Sequence, residues 1–161
     1  MTEVVIHRAL PSDAQAMAVL HTSSFGTRWD AAAMAQFIAG PNTVCLIASA
    51  VEGSPSGLLI ARRAADEAEL LMLSVAPYHR RAGFGKALLK EAIAMLSAAG
   101  ARKLFLEVEE GNAAAFGLYR SFGAKPVGRR ARYYENGADA TIFSLALSVS
   151  PADDVRSQRE A

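Results

Sequence analysis

The sequence is poor in the residues that build disulfides, metal centres and nucleic-acid surfaces. One cysteine among 161 residues excludes an internal disulfide and is typical of a protein from a reducing compartment. The three histidines stand apart, and no Cys/His spacing indicates a metal site. Aromatic residues make up only 7% of the chain, and no stripe of aromatic and basic residues indicates RNA binding.

Net charge and long apolar runs are scarce as well. The formal charge is +1, which gives no reason to expect general binding to nucleic acids or membranes. The N-terminal stretch "MTEVVIHRAL" lacks the hydrophobic region of a signal peptide, and no apolar run approaches the length of a membrane span. We predict a cytoplasmic protein with no direct nucleic-acid or membrane partner. We also expect a monomer or a weak homodimer.

The remaining composition is that of a globular protein. Hydrophobic residues make up 52% and charged residues 20%, and the length suits one domain with a real core. We predict a single domain over residues 1–149 and a polar C-terminal tail over residues 150–161. Cys45 lies in the apolar run "TVCLIASAV", where a small buried side chain is the favoured interpretation over a nucleophile.

Periodicity and turn signals predict an alternation of strands and helices. The predicted order is a strand, two helices, three strands, a helix, a strand, a helix and two strands. The segments are a strand near Glu3–Arg8, a helix beginning at Pro11-Ser12-Asp13, a helix from an Asp30 cap to Ala39, strands in "NTVCLIASAV", "GLLIARRA" and "EAELLMLSVA", a helix over Gly83–Ala99, a strand in "RKLFLEVE", a helix over Asn112–Phe122, and strands in "KPVGRRARYY" and "ATIFSLAL". This order predicts an α/β or α+β fold with helices packed on a mixed sheet.

The stretch "PYHRRAGFGKALL" combines glycine with positive charge where a helix begins. The first helical turn carries N–H groups without intrahelical partners and the positive end of the helix dipole, which together favour a phosphate. Gly83 and Gly85 permit close approach of the main chain, and Arg80, Arg81 and Lys86 add charge. The alternative is a glycine-eased turn with solvated arginines. The strand–turn–helix context and the basic cluster favour a pyrophosphate site.

The spacing Arg80-x-x-Gly83-x-Gly85 matches the Arg/Gln-x-x-Gly-x-Gly/Ala acetyl-CoA signature of the GNAT family of N-acetyltransferases. The order of elements resembles that family over almost the whole chain. The resemblance implies a mixed, mostly antiparallel central sheet of about seven strands flanked by about four helices, with acetyl-CoA as cosubstrate and no metal. In that family the loop amides hold the pyrophosphate and the preceding strand pairs with the pantetheine arm. The coenzyme-binding residues it implies are Leu73, Ser74, Val75, Arg80, Arg81, Ala82, Gly83, Phe84, Gly85 and Lys86.

A candidate general base lies in the strand "KLFLEVE". Alternation places Glu107 and Glu109 on one face and the leucines and valine on the other. Burial would raise the pKa of such a carboxyl group and make it a base, but alternation alone favours a solvent-facing strand. The block "LFLEVEEGNAAAFGLYRSFGA" is similar to that of ribosomal-protein alanine N-acetyltransferases and their protein-N-terminal relatives. That resemblance implies that Glu107 is the general base, directly or through water.

The helix after this strand carries a candidate acid. Tyr119 lies three residues after Phe116 and three before Phe122, so a core tyrosine is the alternative. The resemblance implies that Tyr119 lies near the thioester sulfur and protonates the departing thiolate. A phenol with a pKa of about 10 is neutral and able to donate at neutral pH. Asn112 reads as an N-cap, and the resemblance implies that Asn112 and Ala115 also contact the coenzyme.

The acceptor groove is assigned by the same resemblance. In protein N-terminal acetyltransferases a tyrosine pair, here Tyr133 and Tyr134, helps to wall the groove for the first substrate residues. Phe25 and Trp29, in "HTSSFGTRWD", are candidates for the opposite wall. The alternative for the tyrosine pair is a plain cover over a hairpin.

Three functions follow from these residues. The first is acetylation of a protein N-terminal α-amine, with a ribosomal protein beginning with alanine as the expected substrate. The second is acetylation of a small-molecule amine or lysine, and the third is a sensor that binds acetyl-CoA without catalysis. Glu109 and Glu110 stand where the relatives usually carry Arg-Ala, which puts negative charge near the acceptor side and leaves the substrate open.

Overall fold

The computed structural model describes residues 3–25, 29–50, 53–76, 83–133 and 137–147, with the backbone alone for residues 22–25. Its elements are β1 (Val4–Arg8), a 3-10 helix (Pro11–Asp13), α1 (Ala14–Phe25), α2 (Ala31–Ala39), β2 (Thr43–Ala50), β3 (Pro55–Ala64), β4 (Glu67–Val75), α3 (Phe84–Ala98), β5 (Lys103–Glu109), α4 (Ala113–Ser121), β6 (Lys125–Arg130) and β7 (Ala140–Ala146). This is the predicted order of strands and helices. The predicted helix start at Pro11 is a 3-10 turn that leads into α1.

The seven strands form one sheet in the order β1-β2-β3-β4-β5-β7-β6. The pairs β1–β2, β2–β3, β5–β7 and β6–β7 are antiparallel, and β4–β5 is parallel. The parallel ladder joins Glu67–Leu70 of β4 to Lys103–Leu106 of β5. A mixed, mostly antiparallel sheet of seven strands with four α-helices is therefore confirmed.

The chain divides into two compact units, Met1–Arg62 with Leu71–Met95 and Arg63–Leu70 with Leu96–Ala161. The prediction of a single domain over residues 1–149 stays a prediction, and the predicted tail at 150–161 lies outside the described residues. No helix in the described part of the chain is both long enough and apolar enough to cross a membrane.

Helices α1 and α2 pack on strands β2, β3 and β4 in the first unit, around buried side chains such as Met17, Met34 and Ile60. The Asp30 carboxylate accepts a hydrogen bond from the Ala33 N–H at 2.9 Å, so the predicted cap of α2 is confirmed. Cys45 belongs to this core and is 8% exposed. Burial raises the pKa of its thiol to about 11, so the thiol stays protonated at neutral pH and is a poor nucleophile.

A glycine on β3 lets α3 lie close to the sheet in this unit. A Cβ atom at Gly57 would lie 3.1 Å from Leu88 Cδ1 and 3.3 Å from the Ser74 carbonyl oxygen. A side chain at this position would therefore crowd Leu88 of α3 and the main chain of β4, and these neighbours would have to shift by a few tenths of an ångström. The predicted apolar face of α3 is confirmed, because Phe84, Leu88, Leu89, Ala92 and Leu96 are buried and Ile93 is half-buried.

Strand β5 of the second unit alternates as predicted. Leu104, Leu106 and Val108 are buried, whereas Phe105, Glu107 and Glu109 are half-buried. The antiparallel ladder with β7 sets Phe143 opposite Leu106, and the Phe116 ring of α4 contacts the Phe143 ring edge-on at 5.1 Å. Helix α4 therefore packs on the leucine face of β5.

The predicted last hairpin is wrong at one end. The strand expected over "KPVGRRARYY" ends at Arg130, four residues early. Arg132 has a φ of +51°, and its N–H donates to Asp139 Oδ1 at 2.8 Å. A left-handed residue held by a side-chain hydrogen bond turns the chain out of the strand.

Candidate active site

The end of β4 is fixed from both sides within the first unit. The Ser74 hydroxyl donates to the Leu20 carbonyl oxygen of α1 at 3.4 Å, and Ser74 is only 3% exposed. The Ala76 N–H donates to the Ser56 carbonyl oxygen at 2.7 Å. Leu73 and Val75 are half-buried. Ser74 therefore presents its side chain to α1, and a molecule lying along this strand would meet its main chain.

The start of α3 lies in the same unit. Gly83 is exposed, has a φ of +87°, and would leave a Cβ atom in open space. The first helical bond runs from the Ala87 N–H to the Gly83 carbonyl oxygen at 3.0 Å, so the Gly85 and Lys86 amides lie in the first turn. Gly83 is thus needed for its backbone conformation and not for space inside the protein.

The side chains of the predicted coenzyme-binding loop differ in how far a ligand could reach them. Phe84 is 1% exposed and among the largest fully buried side chains, so only its main chain is available to a ligand. Lys86 is exposed. Arg80, Arg81 and Ala82 lie outside the described residues.

Glu107 lies on an ion-paired face of the second unit. Its carboxylate oxygen Oε1 is 3.2 Å from Arg130 Nε, and its side chain is 29% exposed. The sequence predicted a carboxyl group among apolar neighbours, whereas the structure gives a half-buried carboxylate held by an arginine. Sequence reasoning missed Arg130, because only the strand order β5-β7-β6 brings it to Glu107.

Tyr119 lies on the other side of β5. It is 7% exposed, and its ring centroid is 6.4 Å from that of Phe143. Phe143 is paired with Leu106, so both side chains lie on the same face of the sheet. Alternation puts Glu107 on the opposite face. The two predicted catalytic side chains therefore flank the β5–β7 pair from opposite faces.

Helix α4 begins as predicted. The Asn112 side-chain oxygen accepts a hydrogen bond from the Ala115 N–H at 3.1 Å, which confirms the N-cap. Ala115 is half-buried, and Asn112 is exposed. A cavity of about 450 Å³ beside this helix is lined by Gly111, Ala113, Phe116, Gly117 and Arg120. Since neither Glu107 nor Tyr119 lines it, we do not place the chemistry there.

The candidate acceptor walls differ in character. Tyr133 is 43% exposed, and the Arg130 guanidinium carbon lies 5.3 Å from its ring centroid. Trp29 stacks on His21 at 5.3 Å and meets Phe37 edge-on at 5.1 Å, so its half-buried ring packs within the helical layer. Tyr134 and the Phe25 side chain lie outside the described residues.

Of the acidic pair Glu109 and Glu110, which departs from the family pattern, Glu110 is paired with an arginine. Arg129 Nε lies 2.7 Å from Glu110 Oε1, its Nη2 donates to Glu110 Oε2 at 3.1 Å, and it also pairs with Asp139. The hydrogen bond that Arg129 donates to Glu110 and, next, the charge of Asp139 raise the pKa of the Arg129 guanidinium. Glu110 therefore does not stand as an isolated negative charge on the acceptor side.

Residues 14–124 match the model of the acetyltransferase (GNAT) family. The chain belongs to the GNAT family. This confirms the resemblance drawn from the Arg80-x-x-Gly83-x-Gly85 signature. In the GNAT fold of this chain, the signature glycines come directly before and within the first turn of α3.

Named relatives of this GNAT protein share its central part. The Escherichia coli K12 ribosomal protein bS18-alanine N-acetyltransferase is 37% identical over 100 residues, covering 60% of this chain and 68% of that protein. The protein of the same name from Haemophilus influenzae is 40% identical over 78 residues, covering 48% of this chain and 53% of that protein. The chain thus spans between half and about two thirds of the length of these relatives.

The structural likeness is more extensive. The crystal structure of the ribosomal-protein-S18-alanine N-acetyltransferase from Escherichia coli superposes with a TM-score of 0.82 at 29% identity. The superposition covers 92% of this chain and 96% of that one. It confirms the GNAT fold over nearly the whole chain.

Proposed function

We propose that this protein transfers the acetyl group of acetyl-CoA to the α-amine of a protein N-terminus. The substrate class that we assign is a ribosomal protein beginning with alanine, as the names of the E. coli and H. influenzae relatives suggest. The observation that carries the proposal is the placement of Glu107 and Tyr119 on opposite faces of β5. A transferase needs a base and an acid around one reacting carbon, whereas a sensor needs neither.

The end of the parallel ladder supports a reaction centre beside Glu107. The β4–β5 ladder ends at the pair Leu70 and Leu106, and Glu107 is the next residue of β5. A thioester carbonyl placed at this edge of β5 would have Glu107 on one side and Tyr119 on the other. An acid and a base can then serve the same carbon without competing for space.

The proposed transfer removes two protons from the acceptor nitrogen. The acceptor ammonium gives the first proton to Glu107, directly or through water, and the nitrogen then bonds to the acetyl carbon. The carbon–sulfur bond breaks and the thiolate takes the phenolic proton of Tyr119. The second nitrogen proton, released as the amide forms, returns through water to the Tyr119 phenolate, and Glu107 passes its proton to solvent. A thiol has a pKa of about 8.5 and a phenol about 10, so Tyr119 assists the departure of a group that already leaves readily.

The pyrophosphate and pantetheine arm of the coenzyme are assigned to the first unit. The main-chain amides of Gly85 and Lys86, in the first turn of α3, would hold the pyrophosphate, with the Lys86 ammonium nearby. The main chain of Leu73–Val75 would lie along the pantetheine arm. Gly83 supports this by giving the loop a conformation that other residues rarely adopt.

The acidity of the acceptor ammonium favours an α-amine over a lysine. The Glu107 carboxylate pairs with Arg130 and is 29% exposed. An α-amine has a pKa of about 8 and a lysine about 10.4, so less driving force is needed to deprotonate the α-amine at neutral pH. Tyr133 beside Arg130 then offers an exposed ring to the first residues of a peptide.

A peptide panel tests the function. We expect turnover of acetyl-CoA with a short peptide that begins Ala-Arg. We expect none with a peptide whose α-amine is already acetylated and whose only amine is an internal lysine, because an α-amine loses its proton more readily than a lysine. Turnover confined to the blocked peptide or to small amines would contradict the proposal, and so would coenzyme binding without turnover of any amine.

Tyr119→Phe should lower kcat for the peptide about tenfold, less than the usual contribution of a full acid or base, because thiolate is a good leaving group. The Kd for acetyl-CoA and the melting temperature should change little, since phenylalanine fills the same buried space. Stopped assays with the Ala-Arg peptide measure kcat, and calorimetry measures Kd. An unchanged kcat would remove Tyr119 as the acid.

A further inference from the structure

We propose that Arg130 is a positioning residue that holds the Glu107 carboxylate in its reactive orientation, an inference that rests on the proposed function. Arg130 Nε is 3.2 Å from Glu107 Oε1, and its guanidinium carbon is 5.3 Å from the ring centroid of Tyr133. One arginine thus touches both the proposed base and the proposed acceptor wall.

The strand register makes this contact specific. Glu107 is opposite Ile142 of β7, and Arg130 of β6 is opposite Ala140, so all four share one face of the sheet. The Arg130 side chain therefore reaches Glu107 across the intervening strand β7 on this face.

The pair is poorly placed to stabilise the fold. The side chains of Arg130 and Glu107 are 54% and 29% exposed, and solvent screens ion pairs of this kind. The neighbouring Arg129 pairs with two carboxylates, those of Glu110 and Asp139. Among the described residues, Arg130 has the single ion pair with Glu107. Orientation of Glu107 is therefore the effect that the Arg130 contact supports best.

The arginine contributes a fixed geometry and a permanent charge. A guanidinium stays protonated in proteins, and the Tyr133 ring restricts one of its faces. With Oε1 occupied by Arg130, the other oxygen, Oε2, is the one that we assign to the acceptor amine or its water. Because Arg130 also contacts Tyr133, it links the proposed base to the proposed acceptor wall.

Substitution of Arg130 tests the role by separating kcat from binding. We expect Arg130→Met to lower kcat for the Ala-Arg peptide about tenfold, a part of the effect of losing the base itself. Arg130→Lys keeps the charge and should retain kcat within about threefold of wild type. The Kd for acetyl-CoA and the melting temperature should stay unchanged in both. Arg129→Met, the matched control, should keep kcat.

A double-substitution cycle decides whether Arg130 acts through Glu107. In a Glu107→Gln background, adding Arg130→Met should change kcat less than about twofold, because residues that act as a unit are not additive. A further tenfold loss there, or wild-type kcat in Arg130→Met alone, would overturn the inference and leave the proposed function standing. Failure of the wild-type protein to acetylate any peptide would instead overturn both.

Discussion

Glu107→Gln is expected to lower kcat with an Ala-Arg peptide by about 100-fold to 10,000-fold, the usual contribution of a general base. The amide keeps the size of the side chain but cannot accept the proton of an ammonium. The Kd for acetyl-CoA should stay within about twofold of wild type, because the coenzyme is assigned to main-chain groups on β4 and α3. Steady-state turnover and calorimetric binding measure the two quantities separately.

The fold should tolerate this substitution. The ion pair with Arg130 is partly exposed, so its loss should cost about 1 kcal/mol or less. Glu67→Gln, at an exposed position that begins β4, is a matched control on a strand and should keep wild-type kcat. Wild-type turnover by Glu107→Gln would remove Glu107 as the base, and a large loss of melting temperature would assign the effect to stability instead.

Local patterns were sufficient to predict the scaffold of the site. The alternation of "KLFLEVE" predicted which face of β5 carries Glu107, and the apolar face of α3 is buried as the spacing indicated. Asp30 and Asn112 cap α2 and α4 through their own first turns. These features depend on residues within a few positions of one another, which is what periodicity and capping signals describe.

Contacts between strands distant in sequence were not predictable in this way. The Arg130–Glu107 pair depends on β7 lying between β5 and β6, an order that no local pattern in the sequence specifies. The inward direction of Ser74 depends on the carbonyl group of Leu20 in α1. The early end of β6 depends on Asp139, seven residues beyond Arg132.

The chemical roles had a different source from the scaffold. Alternation alone favoured a solvent-facing strand for Glu107, and a core position was the simple interpretation of Tyr119. The resemblance to the GNAT family assigned both roles. The structure adds their placement on opposite faces of β5 and the contact of Arg130 with Glu107. It also shows that Glu110, which we expected to put negative charge near the acceptor side, pairs with Arg129.

Gly83→Val is expected to raise the Kd for acetyl-CoA roughly 10-fold to 100-fold. Its φ of +87° is a conformation that β-branched residues rarely adopt, and such strain costs about 1–3 kcal/mol, with 1.4 kcal/mol for each factor of ten. A Cβ atom would meet no atom of the described residues within 4 Å, so crowding against them is not the cause. The expected loss comes from a main chain that turns its amides away, together with a side chain where the pyrophosphate would approach.

Gly100→Val is a control that distinguishes damage to the coenzyme-binding turn before α3 from the general effect of backbone strain. Gly100 follows α3 as Gly83 precedes it, has a φ of +98°, and also leaves a Cβ atom in open space. The two glycines lie at opposite ends of a 15-residue helix, about 22 Å long at 1.5 Å per residue. Both variants should lose melting temperature, because both force valine into the same backbone region, but only Gly83→Val should weaken coenzyme binding. Equal Kd values in the two variants would show that the turn before α3 does not hold the coenzyme.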